Sequence, residues 1–302
     1  MNLEKPTMKL HEAGLASGRA LLLLNPFPLH RGVWADNVAT WVGRGYRVLT
    51  ADYPGLEGPG AGGAGAGDDD DAAAAPGDRP MSPMSIDGLA DAVVAGLDAR
   101  AIAQVAVLGV SMGGYVALSL AVRSPARLAG LLLADTRAAA DSPAARAGRA
   151  MALATLQQPA ARAPEVEIEA DIEAASGVAA VETYLGSSLP KLLAAAAPAH
   201  LHARVRALAI RRRASLAAGI VALRDRPDRS GALPSLRLPT LVMCGSDDQI
   251  VPPAEMQEMA RAIPGARFEA IPGAGHLANL EQPARFEALV GAFLEELVGT
   301  AA

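Results

Sequence analysis

The sequence predicts an α/β fold, with a mainly parallel central sheet and helices on both of its faces. Three observations predict it. Short apolar runs alternate with longer stretches of helical pattern along the chain. Several of those runs are apolar throughout, as expected of strands buried on both faces. Three of them lead into residues that carry chemistry: a serine between glycines, an acidic pair and a glycine-flanked histidine.

Strands are expected at 20–24, 46–51, 105–109, 130–133, 240–244 and 267–271. Helical pattern covers 34–43, 86–99, 114–123, 253–263 and 284–297. Three regions stand outside this alternation. Residues 58–80 hold the Gly/Ala run 60–67 and four consecutive aspartates at 68–71. Glycine is costly to order and like charges repel, so this segment is expected to be a mobile surface insertion. A calcium loop is the sharper alternative, but alternate-position ligands and a terminal Glu are missing. Residues 138–230 are rich in Ala and Arg, mostly helical in pattern, and broken by Pro143, Pro159, Pro164, Pro190, Pro198 and Pro227. Arg204, Arg206, Arg211, Arg212 and Arg213 fall in this region and read as a solvated helix face rather than an anion site. The tail 299–302 is expected to fray. The expected division is a core of 1–137 and 231–302, with 138–230 as a helical unit inserted into it.

Length and composition narrow the classes. A chain of 302 residues fits one large α/β domain, or a domain with a lid. It buries roughly 75% of its unfolded surface without staples. The net charge of −5 argues against general nucleic-acid binding. A single cysteine, Cys244, excludes an intrachain disulfide and reads as a small core residue. The apolar run at 20–24 is too short for a signal or membrane segment, so a soluble, cytoplasmic protein is expected.

The chemistry is concentrated at Gly109-Val110-Ser111-Met112-Gly113. A strand precedes it and a helical pattern follows, the context that gives Gly-x-Ser-x-Gly its meaning. A serine at such a turn stands exposed above the sheet, and side chains at Gly109 or Gly113 would collide with neighbouring elements. The new helix also directs its N-terminal N–H groups toward the serine, which suits an oxyanion. The strand at 240–244 leads into Gly245-Ser246-Asp247-Asp248, and the strand at 267–271 into Gly273-Ala274-Gly275-His276. The chain order is therefore Ser, Asp, His. Neighbouring residues of an extended segment point opposite ways, so only one of Asp247 and Asp248 can face His276.

On these motifs the chain resembles the α/β-hydrolase superfamily from about residue 20 onward. Gly-Val-Ser-Met-Gly-Gly-Tyr, Leu-Ala-Asp-Thr-Arg and Gly-Ala-Gly-His-Leu-Ala-Asn-Leu-Glu-Gln-Pro resemble its small esterase and 3-oxoadipate enol-lactonase-like branch. The resemblance implies Ser111 as nucleophile, His276 as base and Asp248 as the acid orienting it, since Gly245, Asp248 and Pro252 match the family spacing. It makes Asp247 a solvated or turn-capping residue. Asp135 is the fallback acid, with a loop or helix-capping role as the alternative. The resemblance also implies that 138–230 is a helical cap over the site. It leaves 58–80 as an insertion and the sheet short at its first edge, where 8–10 give little room for the family's antiparallel strands.

An oxyanion needs two fixed N–H donors. Met112 N–H, directly after the nucleophile, is one candidate. Phe27 N–H, in Asn25-Pro26-Phe27-Pro28, is the other, at the position matching the family's usual donor. Here Asn25 and Pro26 stand where the family commonly has His-Gly. Arg31 and Arg137 are candidates for holding a substrate carboxylate, against the alternative that both are solvated loop residues. His11, His30, His200 and His202 lack a comparable context. The expected activity is hydrolysis of a small-molecule ester or lactone without metal or organic cofactor. Thioester hydrolysis, C–C cleavage, acyl transfer and perhydrolysis share the same residues. An NAD(P)-binding oxidoreductase is the reading from another class: Gly109-x-Ser111-x-x-Gly114 resembles Gly-x-Gly-x-x-Gly, with Asp135 roughly 20 residues on. Ser111 then occupies a glycine position where the backbone must approach the pyrophosphate. A non-catalytic binding protein on the same scaffold is the third reading.

Overall fold

A computed structural model describes residues 8–53, 84–157 and 169–299. The 58–80 insertion, Pro159 and Pro164 fall outside them. Seven strands form one sheet: β1 (Lys9–Ala13), β2 (Ala20–Leu24), β3 (Arg47–Asp52), β4 (Val105–Val110), β5 (Leu128–Ala134), β6 (Thr240–Gly245) and β7 (Arg267–Ile271). Their order is β1-β3-β2-β4-β5-β6-β7. All neighbours are parallel except β1 and β3.

The helices are α1 (Ala35–Gly43), α2 (Ile86–Asp98), α3 (Met112–Arg123), α4 (Pro143–Gln157), α5 (Glu169–Ser188), α6 (Ala199–Ala207), α7 (Arg213–Arg224), α8 (Pro253–Ala262), α9 (Ala278–Glu281) and α10 (Pro283–Gly299). Local signals set several boundaries. Ser85 accepts the Gly88 N–H at 3.0 Å and starts α2. Prolines stand at the first positions of α8 and α10, where the missing N–H costs nothing.

The core lies in the central strands. Every residue of β4 is buried, as are Leu21, Leu22, Leu23 and Leu24 of β2. Each leucine removed from water in this way contributes about 1.5–3 kcal/mol. The α3 helix packs across β2, β4 and β5, while α8 covers β6 and β7. Among the described residues no helix is long and apolar enough to cross a membrane.

The expected strands and helices are all present, with ends shifted by a residue or two. The first edge needs a correction. β1 is an antiparallel strand, paired with β3 from Lys9↔Asp52 to Ala13↔Val48. It has one fully inward residue, Leu10, too little for an apolar pattern, and backbone pairing to β3 holds it.

The connections explain where a site forms. β2 continues through α1 to β3 on one side, whereas β4 continues through α3 to β5 on the other. The paired strands β2 and β4 therefore diverge beyond their carboxyl ends and leave a crevice there. Helices α4 to α7 all lie between β5 and β6 in the chain.

Candidate active site

Ser111 is the residue between β4 and α3, at φ +53°. A non-glycine residue in that region is strained, and the surrounding structure has to impose it. Here the Ser111 N–H donates to the Ala134 carbonyl at 3.0 Å, and Thr136 Oγ1 donates to the Ser111 carbonyl at 2.8 Å. The tight turn depends on missing side chains. A Cβ at Gly109 would lie 2.3 Å from the Gly113 carbonyl oxygen, and one at Gly113 would lie 2.1 Å from that of Leu24. A Cβ at Gly114 would stand 2.5 Å from the Thr136 side chain.

The carboxyl ends of β6 and β7 bring Asp248 and His276 together. Both are buried, and His276 Nδ1 lies 2.8 Å from Asp248 Oδ2. The other carboxylate oxygen, Oδ1, accepts the Ile250 and Val251 N–H groups at 2.7 and 3.1 Å. Asp248 is therefore held on both oxygens and fixes the imidazole with Nε2 free for other work. Asp247 is exposed, with Ser246 Oγ 3.0 Å from its Oδ1.

Asp135, the fallback acid, lies in the loop directly after β5 and is the N-cap residue of no helix. It is fully buried at φ +48°, and its Oδ1 accepts the Gly245 N–H at 2.8 Å. Burial, followed by the Asp248 charge, pushes its carboxyl well above the usual carboxylate range. Cys244 is buried as expected, and burial with Asp135 and Asp248 nearby pushes its thiol up to about 12.

Glu281 was not singled out from the sequence, although it lies in the quoted histidine motif. Its Oε1 accepts the Gly275 N–H and its Oε2 the Ala194 N–H, both at 2.8 Å. One carboxylate thus ties the histidine loop to the helical region between β5 and β6. Burial raises its pKa despite these bonds.

On the β2 side, Asn25 Nδ2 donates to the Leu29 carbonyl at 2.7 Å, and Tyr53 OH donates to the Asn25 carbonyl at 3.1 Å. Phe27 is buried, and the Phe27–Pro28 bond is cis. Met112 is the first residue of α3, so its N–H has no partner one turn earlier in the helix.

The two candidate arginines face protein partners. Arg31 Nε lies 3.1 Å from Asp52 Oδ2, a carboxylate that also meets His11 Nε2 at 2.5 Å. Arg137 Nη2 donates to the Ile250 carbonyl at 2.6 Å, and its Nε lies 3.3 Å from Glu255. Both guanidinium groups thus have protein partners, and Arg137 also lines a pocket together with Tyr115, Arg226 and Arg229. Of the insert arginines, Arg204 pairs with Asp36 at 2.7 Å, while Arg206 and Arg211 both pair with Glu182. Among the described residues, no cluster of three His, Cys, Asp or Glu side chains could hold a metal ion.

The model of the alpha/beta hydrolase family matches residues 21–289. The chain belongs to this family. Its relatives differ in how much of their length it spans. Polyketide synthase ThaQ of Burkholderia thailandensis is 31% identical over 229 residues, which are 74% of this chain and 10% of that synthase. A pimeloyl-[acyl-carrier protein] methyl ester esterase of Neisseria meningitidis is 28% identical across 72% of this chain and 79% of its own. Among solved structures, a thermophilic esterase from Thermogutta terrifontis with malate bound is 27% identical, with a TM-score of 0.76. That likeness covers 96% of this alpha/beta hydrolase and 93% of the esterase.

Proposed function

We propose that this protein is a serine hydrolase that cleaves carboxylic esters or lactones through an acyl-enzyme on Ser111. The observation that carries the reading is the buried Asp248–His276 pair beyond β6 and β7, at the same carboxyl end of the parallel strands where Ser111 follows β4 at positive φ. Family membership and the esterase relatives support it.

Serine is a weak nucleophile unless a base takes its proton. Asp248 occupies His276 Nδ1, so Nε2 is the base. As Ser111 Oγ bonds to the substrate carbonyl carbon, its proton passes to Nε2 and negative charge gathers on the carbonyl oxygen. The Met112 and Phe27 N–H groups receive that charge. The C–O bond to the alcohol then breaks, and His276 returns the proton to the departing oxygen. In a lactone that alcohol stays tethered to the acyl group. Water next gives a proton to Nε2 and adds to the acyl carbon. Release of the acid restores Ser111 with its proton. In this scheme helices α4 to α7 form a cap that shapes the acyl pocket.

The test is labelling by a fluorophosphonate probe, together with a panel of acyl esters, lactones and thioesters. Wild type should label at Ser111 and hydrolyse the esters. Ser111→Ala should lose labelling and about a million-fold in kcat, and Asp248→Asn should lose on the order of 10⁴. A Ser111→Ala variant keeping a tenth of the activity would sink the assignment.

A further inference from the structure

The loop carrying Phe27 is clasped from two sides. The core side supplies Asn25 and Tyr53. The other side is the segment joining α6 to α7. The Ile210 N–H donates to the Pro28 carbonyl at 2.9 Å, and the His30 N–H donates to the Leu208 carbonyl at 3.2 Å. These bonds make Leu29 and Ala209 an isolated antiparallel bridge. The Phe27 ring meanwhile presses on α7 at Gly219. A Cβ added there would lie 2.2 Å from ring Cε2 and 2.6 Å from Cδ2. The Tyr184 ring stands beside it, with centroids 6.5 Å apart, and the Phe27 side chain is buried. Pro26 and Pro28 flank Phe27, and each proline restricts its own φ and the conformation of the residue before it. A displaced ring would therefore be felt by the Phe27 backbone, including its N–H.

We propose that Gly219 is a positioning residue for the oxyanion hole: its missing side chain seats the Phe27 ring, and the seated ring aims the Phe27 N–H. The inference rests on the reading of Phe27 as an oxyanion donor. It gives the helical region a part in the chemical step as well as in covering the site.

The test compares Gly219→Ala with wild type, Phe27→Leu and the double variant. Gly219 is buried in α7, where alanine gains helix propensity but its methyl meets the Phe27 ring, so a melting temperature that holds while activity falls separates positioning from folding. Gly219→Ala should lower kcat by roughly tenfold or more, part of the 10²–10³ lost when a whole donor is removed. KM should stay within about threefold, since a transition-state contact is affected. Affinity for a trifluoromethyl ketone mimic should fall by the same factor as kcat. Phe27→Leu removes Cε2 and Cζ and leaves a short branch that can turn away from the new methyl. The double variant should therefore match Phe27→Leu alone, and this comparison also serves if Gly219→Ala does not fold. A Gly219→Ala enzyme with wild-type kcat and ketone affinity, or a double variant with a further tenfold loss, overturns the inference. Fluorophosphonate labelling of Ser111 would in that case leave the hydrolase reading standing. No labelling of wild type would bring down both.

Discussion

At the elbow, backbone presses on backbone; in the helical insert, side chains do the holding. Gly109 and Gly113 sit where a methyl would enter a carbonyl group, and neither neighbour can rotate away. Within α4 and α5, by contrast, a Cβ at Gly148 or Gly186 meets nothing within 4 Å. The insert is fastened at separate points instead, at Ala194, at 208–210 and at its two ends. Asp141, just before α4, pairs with Arg226, just after α7, and both side chains are only 2% exposed. Arg149 of α4 bonds the same carboxylate, and the Arg226 guanidinium lies 4.5 Å above the Tyr115 ring of α3. The contrast suggests a division of labour. The elbow tolerates almost no change, while the insert can vary along its length provided its fastenings hold.

The sharpest way to break this contrast is a pair of identical substitutions. Gly113→Ala should cost more than about 4 kcal/mol, since the clash is with main chain, and should leave little soluble protein. Gly148→Ala adds the same methyl to an exposed helix interior and should be neutral or stabilising by up to about 1 kcal/mol. Expression yield and thermal melts would decide. Similar losses in both would show that the elbow is no more constrained than the insert.

The next effect belongs to the fastening. Asp141→Asn removes one partner of a buried pair, which costs about 3–5 kcal/mol because Arg226 is left uncompensated. For a chain of this length that is a fall of roughly 10 °C in Tm. The pH dependence gives a second check. Burial raises the Asp141 pKa, but the bonds and charges of Arg149 and Arg226 outweigh it and hold the carboxyl below its usual range. Its contribution is therefore present above the unfolded value, about 3.9, and is lost as pH falls through the lower folded value. The gap between wild type and variant should be wide at pH 7 and close on acidification. A gap of the same size at both ends would show that the ion pair is not its source.

The same contrast explains what could be read from the sequence. The buried strands were legible because both faces are apolar, and their ends are marked by Gly, Asp and His. Ser111, Asp248 and His276 each follow directly from such an end or lie a few residues beyond it. What escaped depends on contacts between distant segments. β1 offers a single inward side chain, so no period reveals it. Arg31 finds Asp52, and Arg137 finds Glu255, only once the strands and helices are assembled. Nothing near Gly219 in the chain announces the Phe27 ring, which lies almost two hundred positions earlier. Asp135 needed the register of β5 against β6, which sets its carboxyl on the Gly245 N–H.

Asp135 offers the mildest test, and it turns on how two neighbouring carboxyls differ. Asp248 is met by two N–H groups and an imidazole, whereas Asp135 accepts the Gly245 N–H, with a smaller effect from the Ala278 N–H, and its Oδ2 is buried without a close hydrogen bond. Burial and the charge of Asp248 make ionisation of Asp135 costly. Asp135→Asn keeps an acceptor for Gly245 and nearly the same shape, so at pH 5 the two proteins should melt within about 3 °C of each other. Their slopes with pH should differ. Because the folded pKa is raised, the stabilising effect of the bound proton is complete below the unfolded value of about 3.9. It is then lost as pH rises through the folded value. The asparagine variant has no such loss and should gain on wild type between pH 5 and 9. Urea melts at pH 5, 7 and 9 would measure this, and parallel curves would mean that Asp135 carries its charge throughout. The hydrogen bond to Gly245 would then be the whole of its role.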